Sequence, residues 1–439
     1  MSVDETIPDS TDLVQDLKNL FQSFVMQIGD LRKGTRETMS LVAFRSVKKY
    51  KKFREHLDDL GIEATAGKPL VFPSERAKDV VYKAMQESRS AAAYTRTLPR
   101  MTMVNLVSSF ETFVGRLLGV LLKENPGILH GAERTFTSKE LMSYESLEQL
   151  WSEARNKEVE RILRGSHESY FAWLRKHGVD VPRGGEISEY LALVELRHLI
   201  VHQDGVISLD YLNRRRELGL SNEGLNEDSQ LKISAKSLEQ SFGVVIEMAG
   251  LLYVLVSRKL RLADGDIFSS ITQAAYDSLE NDAPESARRL CQLNERYAFN
   301  NTDQMTRNML IVNNAIALEA MEKEDEREEL LAAWDVVALA PVFQLAKAVL
   351  VEDWQSAAKL VVKIGADDDL VTLQAYRDWP LFRKFRDTTE FLEAYLRVFG
   401  QEFRAELQLE PADLRAGTDL ADSSESDSGE ALSRDSVVH

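Results

Sequence analysis

Residues 104–121 read VNLVSSFETFVGRLLGVL, and this stretch decides the fold because its apolar side chains cover almost every face of a predicted helix. A helix that is apolar all round belongs in a protein core, so other helices must surround it. Pro99 opens this predicted helix, and Asn125-Pro126-Gly127 ends it. The segment therefore predicts a helical protein built around one buried helix.

Helical periodicity continues on both sides of this segment. Apolar residues recur at three- and four-residue steps from Leu13 to Leu31, which is typical of one helix face. The sequence also predicts helices over about 34–60, from Ser74 onward, over 137–150, over 153–176 and over 237–258. The predicted fold class is therefore all-α.

Two short segments interrupt the helical pattern. Residues 206–209 and 231–234 resemble two short strands that flank a polar stretch. The apolar helix over 237–258 follows them and completes the unit. We interpret residues 12–265 as one mainly helical domain.

The composition and helix length of the sequence change after residue 265. Residues 266–408 contain alanine-rich helical pieces of about 12 to 20 residues joined by short turns. Such pieces are typical of a tetratricopeptide-like repeat array or of an irregular helical bundle, and the pattern leaves both open. Residues 1–11 are predicted to be disordered, as is the acidic, serine-rich tail over 409–439.

Composition limits the classes of function. The chain has 439 residues and a net charge of −17, so any contact with nucleic acid must come from a local basic patch. A single cysteine, Cys291, excludes an internal disulfide framework and fits a reducing compartment.

The most apolar stretch, Phe242 to Val256, is too short for a membrane span and indicates a core helix. The acidic N-terminus has no hydrophobic signal region. We expect a cytoplasmic protein that needs no cofactor and contacts no membrane.

One short run combines the residue types that metal-free RNA cleavage would require. Residues 195–205 read ELRHLIVHQDG and form the end of a helix predicted from about Ile187 to His202, closed by Gly205. Arginine holds phosphate through forked hydrogen bonds, and histidine transfers protons near neutral pH. Arg434 and His439 have the same spacing as Arg197 and His202, but they lie in the predicted disordered tail, where no scaffold positions them.

Other charged residues are candidates for roles around this run. Arg214, Arg215 and Arg216 supply positive charge near the motif and are candidate RNA contacts, with a solvated surface run as the alternative. Glu111 and Glu195 are candidate supporting residues. Either carboxylate could orient a motif cation or form a purely structural ion pair with Arg197.

Two stretches of the sequence resemble a known family of domains. Residues 197–202 resemble the arginine, polar residue, three residues, histidine signature of HEPN ribonuclease domains, and residues 108–113 are similar to the phenylalanine-glutamate helix of the RiboL-PSP-type subgroup. The resemblance covers about 85–260. It implies a four- to five-helix up-down bundle that forms a homodimer and brings two copies of the motif into one cleft.

The resemblance also implies a function. It suggests a metal-independent endoribonuclease that cleaves RNA by attack of the 2′-hydroxyl, with Arg197, His198 and His202 as catalytic residues. His202 would transfer protons, Arg197 would hold the phosphate, and His198 would occupy the family's polar position. By analogy, such proteins act as toxins, in RNA processing or in defence against phage, often restrained by an antitoxin or another regulatory protein.

Two alternatives remain open. His198 and His202 lie four residues apart, so a shared helix face could also bind a metal ion, although no further ligand pattern supports such a site. The second alternative is a noncatalytic helical scaffold for protein interactions that contains an inactive HEPN-like domain.

Overall fold

The computed structural model describes residues 10–64, 68–131, 144–296, 302–368 and 370–404, together with residues 137 and 142. The predicted disorder of the N-terminus falls almost entirely outside these residues, and that of the tail over 409–439 falls wholly outside them. The protein is all-α, as the sequence predicts. Its α-helices are α1 (Ser10–Asp59), α2 (Glu75–Glu124), α3 (Leu147–Leu163), α4 (His167–Lys176), α5 (Ser188–Gln203), α6 (Leu209–Glu217), α7 (Ala235–Lys259), α8 (Asp264–Glu280), α9 (Pro284–Arg296), α10 (Gln304–Ala320), α11 (Glu324–Ala333), α12 (Pro341–Leu350), α13 (Trp354–Ile364), α14 (Leu373–Asp378) and α15 (Thr389–Phe399).

The two longest helices, α1 and α2, pack against each other as a hairpin and correct two sequence predictions. The predicted helix over 34–60 is the second half of α1, and the helix predicted to begin at Pro99 is the second half of α2. A proline inside a helix removes one hydrogen bond and costs about 3 kcal/mol. Pro99 is buried, and packing along α1 keeps both halves of α2 in line.

The core lies where the second half of α2 meets α1, α5 and α7. Phe110 and Phe113 of α2 pack with Phe24 of α1, and the Phe110 ring contacts Tyr190 of α5. By length and composition, α2 and α7 could each cross a membrane, but 89% of the apolar window of α7 is buried inside the protein. The apolar stretch over 242–256 is therefore a core helix, as predicted.

The prediction of two short strands, over 206–209 and 231–234, is wrong. Within the described residues, neither segment forms a strand, and the single antiparallel bridge joins Val206 to Gln230, one residue before the second segment. Leu209 instead begins α6, because the Ser208 side chain accepts a hydrogen bond from the Tyr211 backbone and caps that helix. Ser234 caps α7 in the same way, so each segment ends where a helix begins.

The described chain forms two compact units, which divide between Ala338 and Leu339. In the first unit, Ile267, Phe268 and Leu290 of α8 and α9 pack into the same core as Phe110. The second unit contains α12 to α15 and has its own buried aromatic residues, including Tyr376 and Phe385. The limits of these units differ from the domains expected from sequence, because the apolar faces of α8 and α9 complete the first core.

Candidate functional site

Helix α5 carries the Arg197–His202 run and has the limits that the sequence predicts, to within one residue. Tyr190 and Leu191 anchor its first half in the core, and Leu199 is buried near its end. Asp204 then adopts a left-handed conformation with φ of 48°, and the backbone N–H groups of Asp204 and Gly205 both donate to the Leu199 carbonyl. Burial on one side thus holds the motif helix rigidly.

Arg100 of α2 ties down the end of the motif helix. Its Nη1 donates to the Asp204 carbonyl over 3.0 Å, and its Nη2 would lie 3.1 Å from a Cβ atom added at Gly205. Gly205 also has a φ of +71°, a conformation that side chains disfavour. Nothing local in the sequence links residue 100 to residue 204, so the sequence does not predict this role of Arg100.

His198 and His202 lie on one exposed face of α5. Their ring centroids are 4.5 Å apart at an angle of 47°, and neither ring forms a hydrogen bond with another described residue. Within the part of the chain that the structure describes, no third histidine, cysteine or carboxylate joins them in a group that could hold a metal ion. Both imidazoles are therefore open to a ligand that comes from solvent.

Arg197 lies one position before this pair and is partly buried. Its Nε atom is buried and has no hydrogen-bond partner. Its charge reaches the carboxylate of Glu111 on α2, where it helps to lower the pKa of that group. The largest cause of the lowered Glu111 pKa is a hydrogen bond from His167; partial burial opposes it. An unpaired buried N–H group is costly and is a candidate for a ligand contact.

His167, the first residue of α4, is the partner of Glu111. Its Nε2 lies 3.0 Å from Glu111 Oε1, and its Nδ1 lies 2.7 Å from the Tyr190 hydroxyl and 2.6 Å from the Tyr170 hydroxyl. Burial is the main cause that raises the pKa of both tyrosines, so their hydroxyls stay protonated and can donate. The sequence alone does not single out His167, because no local pattern connects positions 111, 167 and 190.

Glu195 contacts a different arginine from the one expected. Its Oε1 accepts from Arg214 Nε over 3.4 Å, while Arg214 also donates to Glu168 at 2.6 Å and to Glu217 at 3.0 Å. The hydrogen bond to Glu168 is the largest cause that raises the Arg214 pKa. Three carboxylates thus already surround the charge of Arg214.

The other two residues of the arginine triplet also have local partners. Arg215 donates to the Ser221 carbonyl over 2.8 Å, and its guanidinium lies 5.9 Å from the centre of the Tyr211 ring. Arg216 donates to Asn213 Oδ1 over 2.7 Å. These contacts stabilise α6 and the turn after it.

A cleft of about 430 Å³ lies between α5 and α6, with His198 on its wall. Its charged lining comprises three carboxylates and one arginine; the lining residues are Glu195, His198, Leu199, Gln203, Ser208, Asp210, Tyr211, Asn213, Arg214 and Glu217. This excess of negative charge repels an anion. A phosphate would therefore approach His198 and His202 from the outer face of α5.

Comparisons with known proteins add no family to this description. No protein-family model, curated protein or solved structure matches the chain.

Proposed function

We propose that the protein is a metal-independent endoribonuclease whose chemistry is performed by Arg197, His198 and His202. The observation that carries this proposal is the exposed, unpartnered pair of imidazoles beside an arginine with a buried, unpaired Nε. Proton transfer and phosphate binding need free groups of these two kinds, held on a rigid element. Helix α5 supplies the rigidity, because its other side is buried in the core.

The proposed reaction is a transesterification. The RNA 2′-oxygen forms a bond to phosphorus while the bond from phosphorus to the 5′-oxygen breaks. One imidazole takes the 2′-hydroxyl proton, and another, protonated, imidazole gives a proton to the leaving 5′-oxygen. The products are a 2′,3′-cyclic phosphate end and a 5′-hydroxyl end. Arg197 would stabilise the charge that develops on the phosphorane oxygens.

The site is proposed to be composite, formed by two copies of the chain in a homodimer. Two His202 residues facing each other can divide the roles of base and acid, and two Arg197 residues can hold the phosphate from both sides. The HEPN resemblance of residues 197–202 supports this arrangement. His198 would orient the phosphate from its position beside His202. Glu111 would act on Arg197 through its charge, held in place by His167.

The finer architecture follows from the same proposal. Helices α2 to α5 and α7 would form the five-helix HEPN-like bundle. The helical pairs that begin at Asp264, Gln304 and Pro341 resemble tetratricopeptide-like hairpins, and such hairpins could receive an antitoxin or another regulatory protein. The protein would act on RNA in the cytoplasm, as a toxin or in phage defence.

A second candidate function is a noncatalytic scaffold for protein interactions. Two observations favour it. The arginine triplet after α5 is engaged in internal contacts, and the cleft beside His198 is lined mainly by carboxylates. In that case the motif would be a remnant of a catalytic site.

RNA cleavage in excess chelator separates the two candidates. We expect the wild type to leave 2′,3′-cyclic phosphate ends, and we expect Arg197→Ala and His202→Ala to lose this activity. Gln203→Ala, an exposed change in the same helical turn, is the matched control and should cleave like the wild type. Cleavage that survives in His202→Ala overturns the mechanism. Intact structured and unstructured RNAs across pH 5 to 9 favour the scaffold.

A further inference from the structure

The hairpin of α1 and α2 extends past the core as an arm, which we define as residues 40–59 and 75–98. The main core takes side chains from Leu17 to Ile28 of α1 and from Met103 to Leu121 of α2. The arm has a seam of its own, which contains buried Leu57 of α1 and buried small and branched residues of α2; these are Val81, Ala84, Ser88 and Ala91. Two helices joined by such a seam leave most of their surface to solvent.

Two contacts fix the register of the arm. The Thr35 and Thr102 hydroxyls lie 3.2 Å apart, and Lys49 Nζ lies 2.6 Å from Glu87 Oε2. Since the helices run antiparallel, residues 40–54 lie alongside residues 82–96. We call these two stretches the middle of the arm.

The middle of the arm is strongly basic in an acidic protein. Its single acidic residue is Glu87, against nine basic residues, in a chain with a net charge of −17. The basic residues are Arg45, Lys48, Lys49, Lys51, Lys52, Arg54, Lys83, Arg89 and Arg96. They come from both helices, and Glu87 lies close enough to Lys49, Lys52 and Lys83 for all three to lower its pKa.

Most of this positive charge is not neutralised within the protein. Lys49 pairs with Glu87, whereas Lys51 and Arg54 have only distant partners, at 3.9 Å, on exposed surface. Such surface pairs contribute little. Arg45, Lys48 and Lys52 form no ion pair with any described residue and are exposed. This contrasts with Arg214, which three carboxylates surround.

Aromatic side chains stand among these cations without burial. The exposed fractions are 70% for Phe44, 56% for Tyr50, 56% for Tyr82 and 63% for Tyr94. On α2, Tyr82, Arg89 and Arg96 recur at seven-residue intervals and therefore share one face. Exposed rings contribute nothing to the seam of the arm. Rings interleaved with cations are what proteins use to bind single-stranded nucleic acid, by stacking bases and pairing phosphates.

We infer that the middle of the arm binds single-stranded RNA. Phosphates would pair with the free cations Arg45, Lys48 and Lys52, which share one face of α1, and an unpaired base would stack on Phe44, one helical turn before Lys48. The choice of RNA over DNA rests on the proposed function; binding itself does not require cleavage. The arm would hold the substrate strand away from the acidic cleft beside His198 and raise its concentration near α5.

The test is fluorescence anisotropy with a labelled single-stranded 20-nucleotide RNA and full-length His202→Ala protein, which leaves the RNA intact. The triple variant Arg45→Gln, Lys48→Gln and Lys52→Gln should bind at least tenfold more weakly, and the slope of log affinity against log salt should fall by about 2. Phe44→Ser should weaken binding by about tenfold at unchanged salt slope.

A matched control removes the same charge elsewhere. Lys359→Gln, Lys363→Gln and Arg397→Gln change exposed residues of α13 and α15 and should leave RNA affinity within twofold of the parent. Circular dichroism of each variant must match the parent, since the changed side chains lie outside the buried seam.

Several outcomes overturn the inference. Equal RNA affinity of the arm variant and the control variant removes the arm from binding. Tighter binding of the same sequence as single-stranded DNA overturns the choice of RNA. Capture by vesicles rich in phosphatidylserine without RNA binding assigns the arm to a membrane, and loss of the homodimer in sedimentation assigns it to a second copy of this chain.

The two proposals fail separately. RNA bound by the arm but never cleaved by the wild type contradicts the proposed function alone. When the three arm substitutions are placed in the wild-type chain, cleavage that continues at the wild-type rate, together with unchanged RNA affinity in the His202→Ala chain, contradicts the role of the arm alone.

Discussion

His167 and His202 are two histidines with opposite surroundings. His167 is 8% exposed, and both of its ring nitrogens face polar partners on Glu111, Tyr170 and Tyr190. His202 is exposed, and its ring lies beside that of His198 without a hydrogen bond to any described residue. A histidine whose hydrogen bonds are all made inside the protein stabilises the fold. A histidine held rigidly without partners is free to act on a ligand.

Arginines show the same contrast. Arg214 binds Glu168, Glu195 and Glu217, whereas Arg197 leaves a buried Nε unpaired. The unpaired group lies on the same helix as the unpaired histidines. Changes to residues that have partners inside the protein, the partnered side of this comparison, should therefore alter stability. Changes to residues without such partners should alter activity.

The largest effect is expected for His202→Ala. Loss of a group that transfers a proton should reduce RNA cleavage by about 100-fold or more, while thermal unfolding should shift by the small amount typical of exposed sites, about 0.5 kcal/mol or less. His198→Ala should reduce cleavage less, by about tenfold. A drop in stability that accounts for the lost cleavage would place His202 on the partnered side of the comparison.

His167→Ala should have the reverse profile. It leaves Glu111, Tyr170 and Tyr190 without their shared partner. Because polar groups that lose a hydrogen bond inside the protein are costly, we expect the free energy of unfolding to fall by about 3 kcal/mol. Urea unfolding measures this loss. The folded fraction should still cleave RNA within about tenfold of the wild-type rate. Unchanged stability would contradict a structural role for His167.

Glu111→Gln adds a pH dependence to the comparison. The folded-state pKa of Glu111 is lowered, mainly by the hydrogen bond from His167, so its charge stabilises the fold above the ordinary glutamate pKa, near 4.3. This stabilisation disappears as the pH falls through the folded-state pKa. Since a third of the side chain is exposed, we expect a difference of only about 1 kcal/mol between wild type and variant at pH 7, which shrinks as the pH falls below the ordinary glutamate pKa. A difference that grows in acid would contradict this sign.

The smallest effect is expected for Arg214→Gln. Its ion pairs lie near the surface, so unfolding should change by about 0.5 kcal/mol. RNA affinity and cleavage should stay within twofold of the wild type, because three carboxylates already balance its charge. A large loss of RNA affinity would show that Arg214 leaves these partners to bind substrate.

The sequence predicts the parts of this molecule that depend on local pattern. The all-α class, the core position of the helix over 104–121 and the limits of α5 follow from periodicity and from the stop at Gly205. Strands at 206–209 and 231–234 were wrong because serine caps at Ser208 and Ser234 start helices there.

Features that depend on distant residues were beyond such patterns. Packing against α1 keeps α2 helical across Pro99. The Glu111–His167 pair joins positions 56 residues apart in the sequence. Arg100 meets Asp204 only in the folded chain. The basic run over 45–54 is visible in the sequence, but its register beside 82–96 requires the hairpin.

The central claim is that one site is shared by two copies of the chain, and hybrid dimers test it most directly. Differently tagged wild-type and His202→Ala chains are co-expressed, and the hybrid is purified through both tags and assayed for RNA cleavage in chelator. Each hybrid keeps both Arg197 residues but only one His202, so a shared site lacks one of its two proton-transfer groups. We predict that the hybrid cleaves far more slowly than half of the wild-type rate. A hybrid that keeps about half of the wild-type activity, or a purified protein that is monomeric at micromolar concentration, would contradict the shared site.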